Sequence, residues 1–161
     1  MRKLIYSGIL LLALIIESTV FVHYRLFHVI PDLLTVLIIS GALLRGSLFG
    51  IQLGVAAGVI QDLLVGGFGT NIIINIFVSY LAGTLENKIV KEQMGVAVVV
   101  VFFLTMMRET LYLLLSEQLI FSIPFLWAVK TKIFPLALAN AILIIPVYWL
   151  LYRLEKKIHY Y

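Results

Sequence analysis

Long apolar runs dominate the chain, and they decide what it can fold into. A helix needs roughly 17 to 25 apolar residues to cross a hydrocarbon core about 30 Å thick. Four runs meet this requirement: Leu4–Val22, Ser47–Val65, Gly95–Leu115 and Ile133–Leu151. Two shorter runs, Pro31–Leu44 and Asn71–Leu85, are predicted to cross where the bilayer is locally thinned, or inside the bundle. Whether Pro31–Leu44 spans fully stays open. The runs predict an all-α, polytopic membrane protein with about six transmembrane helices.

Composition supports the membrane class. Hydrophobic residues make up 63% of the 161-residue chain and charged residues 12%, whereas soluble domains are about half apolar and a quarter charged. No spacer rich in Ser, Pro or Gly divides the sequence, so we expect a single integral membrane domain, residues 1–161. The first run lacks a cleavage site of small residues, which favours a retained helix over a secretory signal. The absence of cysteine excludes disulfides and thiolate chemistry.

The positions of the basic residues predict an orientation. With six spans and a cytoplasmic N-terminus, the outside holds Arg25, Lys130 and Lys132, and Arg108 lies within a span. The other eight fall on the cytoplasmic side: Arg2, Lys3, Arg45, Lys88, Lys91, Arg153, Lys156 and Lys157. This excess matches the positive-inside rule and places both termini in the cytoplasm. It also explains the net charge of +4 without a nucleic-acid partner.

Small residues recur at steps of four just before and along the run Ser47–Val65. They are Gly46, Gly50, Gly54 and Gly58, and the same step then reaches Asp62. Residues four apart lie on one face of a helix, so the run carries a smooth groove that another backbone can approach closely. Two interpretations stay open: packing within this chain, or a docking face for a partner's helix.

Polar residues continue the pattern beyond the groove. Asp62 is predicted near the outer end of its helix, either bonded to neighbouring backbone amides or contacting a partner or ligand. The run Asn71–Leu85 has its own polar stripe, again at steps of four residues: Asn71, Asn75, Ser79 and Gly83. Such groups face the bundle rather than lipid. The stripe therefore either forms hydrogen bonds between helices near Asp62 or lines a cavity.

Three ionisable residues lie well inside predicted spans, away from the ends where Asp32 and Asp62 are found: Glu17, Arg108 and Glu109. Intramembrane charges are functional candidates by default. Neighbours on a helix point in different directions, so we expect Arg108 and Glu109 to have different partners, with Glu17 a candidate for Arg108. A structural ion pair and a functional role both stay open.

Catalytic motifs are absent from the sequence. There is no His-Glu-x-x-His, Gly-x-Ser-x-Gly or phosphate-loop pattern, and the histidines are not at metal-ligand spacing. The sequence therefore predicts no catalytic residue, no metal and no cofactor.

Several short motifs in order resemble the rod shape-determining protein MreD family. They are Pro31-Asp32-Leu33-Leu34, Ala42-Leu43-Leu44-Arg45-Gly46, the glycine-step helix ending Gln61-Asp62-Leu63-Leu64, and Gly66-Gly67 followed by Asn71. The match is densest from Pro31 to Gly83, and Ser47 stands where proline is common in the family. The resemblance implies a fold similar to the substrate-binding components of energy-coupling-factor transporters.

The resemblance also implies a function. It indicates a non-enzymatic scaffold of bacterial cell elongation and peptidoglycan synthesis in the cytoplasmic membrane. Such a scaffold binds MreC and links MreB with the polymerase RodA and its class B transpeptidase. The alternative is a small-molecule or lipid-binding subunit of a membrane transporter. Oligomeric state, including a homo-oligomer, and the face used for each partner stay open.

Overall fold

The structure is a computed structural model that describes residues 2–21, 29–67, 69–88, 91, 93–115 and 125–159. Within these ranges the chain is helical and contains no β-strand. The helices, in chain order, are α1 Arg2–Ile16, α2 Leu33–Arg45, α3 Ser47–Val65, α4 Thr70–Thr84, α5 Met94–Leu115, α6 Phe125–Ala128 and α7 Phe134–His159.

Two helices are extended by π-helical turns. Residues Glu17–Phe21 continue α1, and Val129–Ile133 join α6 to α7 without a break. A short 3₁₀ turn, Glu86–Lys88, follows α4. The last helical segment is therefore longer than the predicted run Ile133–Leu151 at both ends.

Three helical segments of the described chain are long and apolar enough to cross a membrane: Ser47–Val65, Met94–Leu115 and Phe125–Lys157. Two apolar helices are shorter, Gly8–Thr19 and Leu33–Arg45. Large apolar side chains such as Leu48, Phe103 and Leu126 are exposed on the outside of the bundle. Lipid contact accounts for such an apolar exterior. The count of six spans stays a prediction.

Helix α2 lies at the centre of the bundle. It packs against α1, α3, α4, α5 and α7, and every residue from Leu33 to Leu44 is buried. Its 13 residues give a length of about 20 Å, short of a hydrocarbon core of about 30 Å. Because other helices surround α2, its length does not have to match the bilayer.

The contacts between helices separate two ends of the bundle. At one end Tyr6 and Arg45 both meet Glu155, with Oη–Oε1 and Nε–Oε1 distances of 2.5 and 3.7 Å. At the same end, Lys91 Nζ donates to the carbonyl of Leu44 at 2.7 Å. The start of α1 and the end of α7 therefore lie together, beside the α2–α3 connection. The opposite end carries the polar side chains described below.

The glycine groove of α3 is occupied by α4 of the same chain. A Cβ added at Gly54 would lie 2.8 Å from the carbonyl oxygen of Asn75, and one at Gly58 would lie 2.5 Å from Ile72 Cα. From the other side, a Cβ at Gly83 would collide with the backbone of Ser47. Among the described helices, α3 and α4 form the most extensively packed pair.

Gly46 has a different role from the other glycines in the series. It lies between α2 and α3, outside either helix, with a φ of 84°. Its amide donates to Ala42 and its carbonyl accepts from Gly50, so the same residue ends one helix and starts the next. A side chain here would be strained and would meet Glu86 at 2.6 Å.

Candidate functional site

Arg108 is the centre of a buried polar cluster at the end of the bundle opposite Glu155. The residue is only 6% exposed. Its Nε donates to Asn75 Oδ1 at 3.2 Å, and its Nη2 donates to Asn71 Oδ1 and Gln61 Oε1, both at 3.1 Å. Its Nη1 contacts Glu109 Oε1 at 2.6 Å. One guanidinium therefore ties α3 and α4 to α5.

Asp32 connects the same cluster to α2 and α7. Its Oδ2 lies 3.3 Å from Arg108 Nη1, and its carboxylate caps α2 by accepting from Thr35 N and Thr35 Oγ1 at 2.8 and 2.6 Å. The Asp32 amide donates to Asn140 Oδ1 at 2.9 Å, and Asn140 Nδ2 donates to Thr105 Oγ1 at 3.3 Å. The N-cap of the central helix is thus also the counter-ion of the central arginine.

Asp62 caps the start of α4 from the neighbouring helix. The α4 N-cap residue, Gly69, makes no side-chain capping bond. Instead, the Asp62 carboxylate accepts from the amides of Asn71 and Ile72 at 3.0 and 3.1 Å, and from Asn71 Nδ2 at 3.0 Å. Unpaired amides and the helix dipole favour an anion at this position. Of the two interpretations for Asp62, the geometry matches bonding to neighbouring backbone.

One expectation for the intramembrane charges was wrong. Arg108 and Glu109 do pair, because the long guanidinium bends back to its neighbour and its Nη1 lies between Glu109 and Asp32. Glu17 is not in direct contact with Arg108 in the described chain, although the two charges attract each other from further apart. Its carboxylate accepts from the amide of Leu34 at 3.3 Å, which ties the π-helical end of α1 to the start of α2.

The residues of the predicted polar stripe, Asn71, Asn75, Ser79 and Gly83, do not all take part in the Arg108 cluster. Asn71 and Asn75 bond to Arg108, whereas Ser79 Oγ donates within its own helix to the carbonyl of Ile76 at 2.9 Å. Gly54, Gly58 and Gly83 lie in the α3–α4 contact, and Gly50 lies where α3 meets both Ala42 of α2 and Ser79 of α4. In the described parts of the chain, Ser40 Oγ is the only buried side-chain polar atom without a hydrogen-bond partner.

A cavity of about 410 Å³ adjoins the Arg108 cluster. Charged residues on its wall are Glu17, Arg108, Glu109 and Lys132, and apolar walls come from residues such as Leu64 on α3. Lys132 Nζ lies 3.4 Å from Glu109 Oε2, and its side chain is 53% exposed. The cavity therefore has polar and apolar sides. Among the described residues, no group of three or more His, Asp or Glu side chains is placed to hold a metal ion.

Sequence reasoning missed four members of this site: Asp32, Gln61, Asn140 and Lys132. Asp32 carried a signal, since Asp directly before an apolar run is a helix-start pattern. Asn140 is an isolated amide in the most apolar part of the last run, where a polar side chain needs an internal partner. Gln61 precedes Asp62 directly and was overshadowed by it. Lys132 had no sequence signal beyond its charge.

An all-helical bundle with an apolar exterior and a buried, hydrogen-bonded arginine cluster defines a helical integral membrane protein. The comparison with protein families then identifies its kind. The chain belongs to the rod shape-determining protein MreD family, whose pattern it matches over residues 1–158. No curated protein and no solved structure matches the chain. The family implies a role in the determination of rod shape.

Proposed function

We propose that the protein is a non-enzymatic membrane scaffold of the bacterial cell-elongation machinery. In this role it binds MreC and links MreB with RodA and its class B transpeptidase. The observation that carries the proposal is the family match over residues 1–158. A scaffold requires a stable bundle with a specific outer surface rather than a reaction site.

The buried polar groups support a structural role for the cluster. Arg108 has two carboxylate and three amide partners, all from this chain. Satisfied buried networks rigidify a bundle and specify its packing. The glycine groove of α3 is filled by α4, so a partner helix would dock on the exposed apolar faces instead.

We further propose six crossings with both termini in the cytoplasm. The Tyr6–Glu155 contact puts the two ends of the described chain on one side of the bundle, and Arg45, Lys91 and Arg153 lie towards that side. The positive-inside rule assigns this basic end to the cytoplasm. Reporter fusions after Lys88 and Tyr161 should report cytoplasm, and a fusion near Glu117 should report the outside. A cytoplasmic signal near Glu117 would exclude the six-span arrangement.

The test of the scaffold role is tryptophan scanning of exposed positions, such as Ala56, with co-purification of MreC and rod-shape complementation as readouts. We expect substitutions clustered on one outer face to abolish MreC recovery while protein level and elution profile stay unchanged. Trp at exposed positions on other faces is the matched control. Normal MreC recovery with every outer face substituted would contradict the proposal.

One observation favours the second candidate, a small-molecule or lipid-binding transporter subunit. This observation is the cavity beside Arg108. Loss of rod shape in Glu17→Gln, with normal MreC recovery, would favour this candidate over the scaffold.

A further inference from the structure

The cavity beside Arg108 has an unbalanced charge. Among the described residues, Arg108 pairs with Asp32 and Glu109, and Lys132 also pairs with Glu109. Glu17 lies on the cavity wall and has no cation within 4 Å in the described chain; Arg108 attracts it only from further away and is already paired with two other carboxylates. An ionised carboxylate at membrane depth is costly without a cation in contact with it, so a ligand that brings a positive group into the cavity would stabilise Glu17 in this form.

A second charge on the wall points to a ligand with two charges. Lys132 shares Glu109 with Arg108, and it is the more exposed of the two cations, at 53% against 7% for the side chains. Its ammonium therefore has donors left for an anion entering from outside. Glu17 and Lys132 each lie in a π-helical turn, a conformation that is frequent at functional sites.

The apolar side of the cavity indicates where such a ligand comes from. Leu64 and Val65 line the cavity and are 67% and 65% exposed, so the wall continues onto the apolar outer surface of α3. An amphiphile can place its headgroup between Glu17 and Lys132 while its chains stay in the surrounding lipid.

We propose that this cavity binds the headgroup of phosphatidylethanolamine. The ammonium group of the lipid donates to Glu17, and the phosphate accepts from Lys132. The inference goes beyond the scaffold role and does not depend on it, because it requires only that the bundle lies in a membrane. The two charges of this headgroup complement the two wall residues, whereas phosphatidylglycerol has no positive group for Glu17.

The test is native mass spectrometry of the purified full chain with equimolar phosphatidylethanolamine and phosphatidylglycerol of identical acyl chains. We expect about tenfold preferential retention of phosphatidylethanolamine, the size of effect that one charged hydrogen bond produces. Glu17→Gln should bring the ratio close to one. Glu155→Gln, a carboxylate at the other end of the bundle, is the matched control and should keep the preference.

A second variant and two further ligands test the proposal independently of Glu17→Gln. Lys132→Gln changes a half-exposed residue and should reduce retention of both lipids alike. Phosphatidylcholine, whose nitrogen is positively charged but cannot donate a hydrogen bond, should be retained less well than phosphatidylethanolamine. Equal retention of all three lipids by the unmodified chain would overturn the proposal. Displacement of the lipid by an equal concentration of glycerophosphoethanolamine would also overturn it, because the ligand would then be water-borne.

Discussion

Replacing Arg108 by Leu removes the group on which four helices converge. The substitution leaves Glu109 with Lys132 as its cation at 3.4 Å, but it leaves Asp32 without any cation among the described residues. Gln61, Asn71 and Asn75 each lose a donor as well. The loss therefore has two components: neutral interhelical hydrogen bonds and one uncompensated carboxylate.

The two components differ in size. Interhelical hydrogen bonds in membranes average about 0.6 kcal/mol, so three amide contacts contribute about 2 kcal/mol. Removing one partner of a buried ion pair typically costs about 3–5 kcal/mol, mainly because the other charge stays buried. The uncompensated carboxylate is the larger effect, and we expect Arg108→Leu to lower the free energy of unfolding by at least about 3 kcal/mol.

A double variant isolates the charge. Asp32→Asn removes the uncompensated carboxylate while asparagine still caps α2, so Arg108→Leu with Asp32→Asn should recover about 1–2 kcal/mol relative to Arg108→Leu alone. The assay is reversible unfolding in mixed micelles at increasing dodecyl sulfate, followed by circular dichroism. The matched control is Arg153→Leu. Arg153 is exposed, with its Cζ 3.7 Å from the ring centroid of Trp149, and should lose no more than about 1 kcal/mol. Two outcomes would refute the reasoning: equal losses of unfolding free energy in Arg108→Leu and Arg153→Leu, or a double variant that is less stable than Arg108→Leu alone.

Two further substitutions test the helix contacts in the same unfolding assay. Gly54→Ala puts a Cβ 2.8 Å from the Asn75 carbonyl oxygen and should lower the free energy of unfolding by about 1–3 kcal/mol. The control Gly95→Ala, with open space around it, should be neutral or slightly stabilising. Equal effects of the two substitutions would mean that α3 and α4 do not touch at Gly54. Asp62→Asn should cost about 1–2 kcal/mol, since one amide oxygen cannot replace a carboxylate that accepts three hydrogen bonds, and unchanged stability would show that Asp62 does not cap α4.

The sequence contained enough to predict the helices. The run Gly95–Leu115 differs from α5 by one residue, and Ser47–Val65 coincides with α3, because apolar length and charged borders define a helix in lipid. It also contained the α3–α4 contact, since Gly54 and Asn75 each lie in a pattern of four-residue steps. Such periodic features need only the geometry of a single helix.

The arginine cluster was less accessible, because its members come from five separate segments. Nothing local in the sequence relates Asp32 to Arg108, or Asn140 to the backbone of Asp32; only the packing order of the helices brings them together. The Arg108–Glu109 pair failed as a prediction for a different reason. Helical geometry describes where Cβ atoms point, whereas a long guanidinium can reach back to its neighbour in the sequence.

The central position of α2 has a consequence for how the protein is made. The ribosome delivers α2 second, yet the partners of Asp32 on α5 and α7 are synthesised last. Until they arrive, α2 can pack only against α1, α3 and α4, and the face that α5 and α7 later cover, with Asp32 at one end, meets lipid. The packing of α2 is therefore incomplete until the C-terminal half of the chain has been synthesised and has packed against it. We expect a chain interrupted before α5 to leave this face of α2 and the Asp32 carboxylate without their partners.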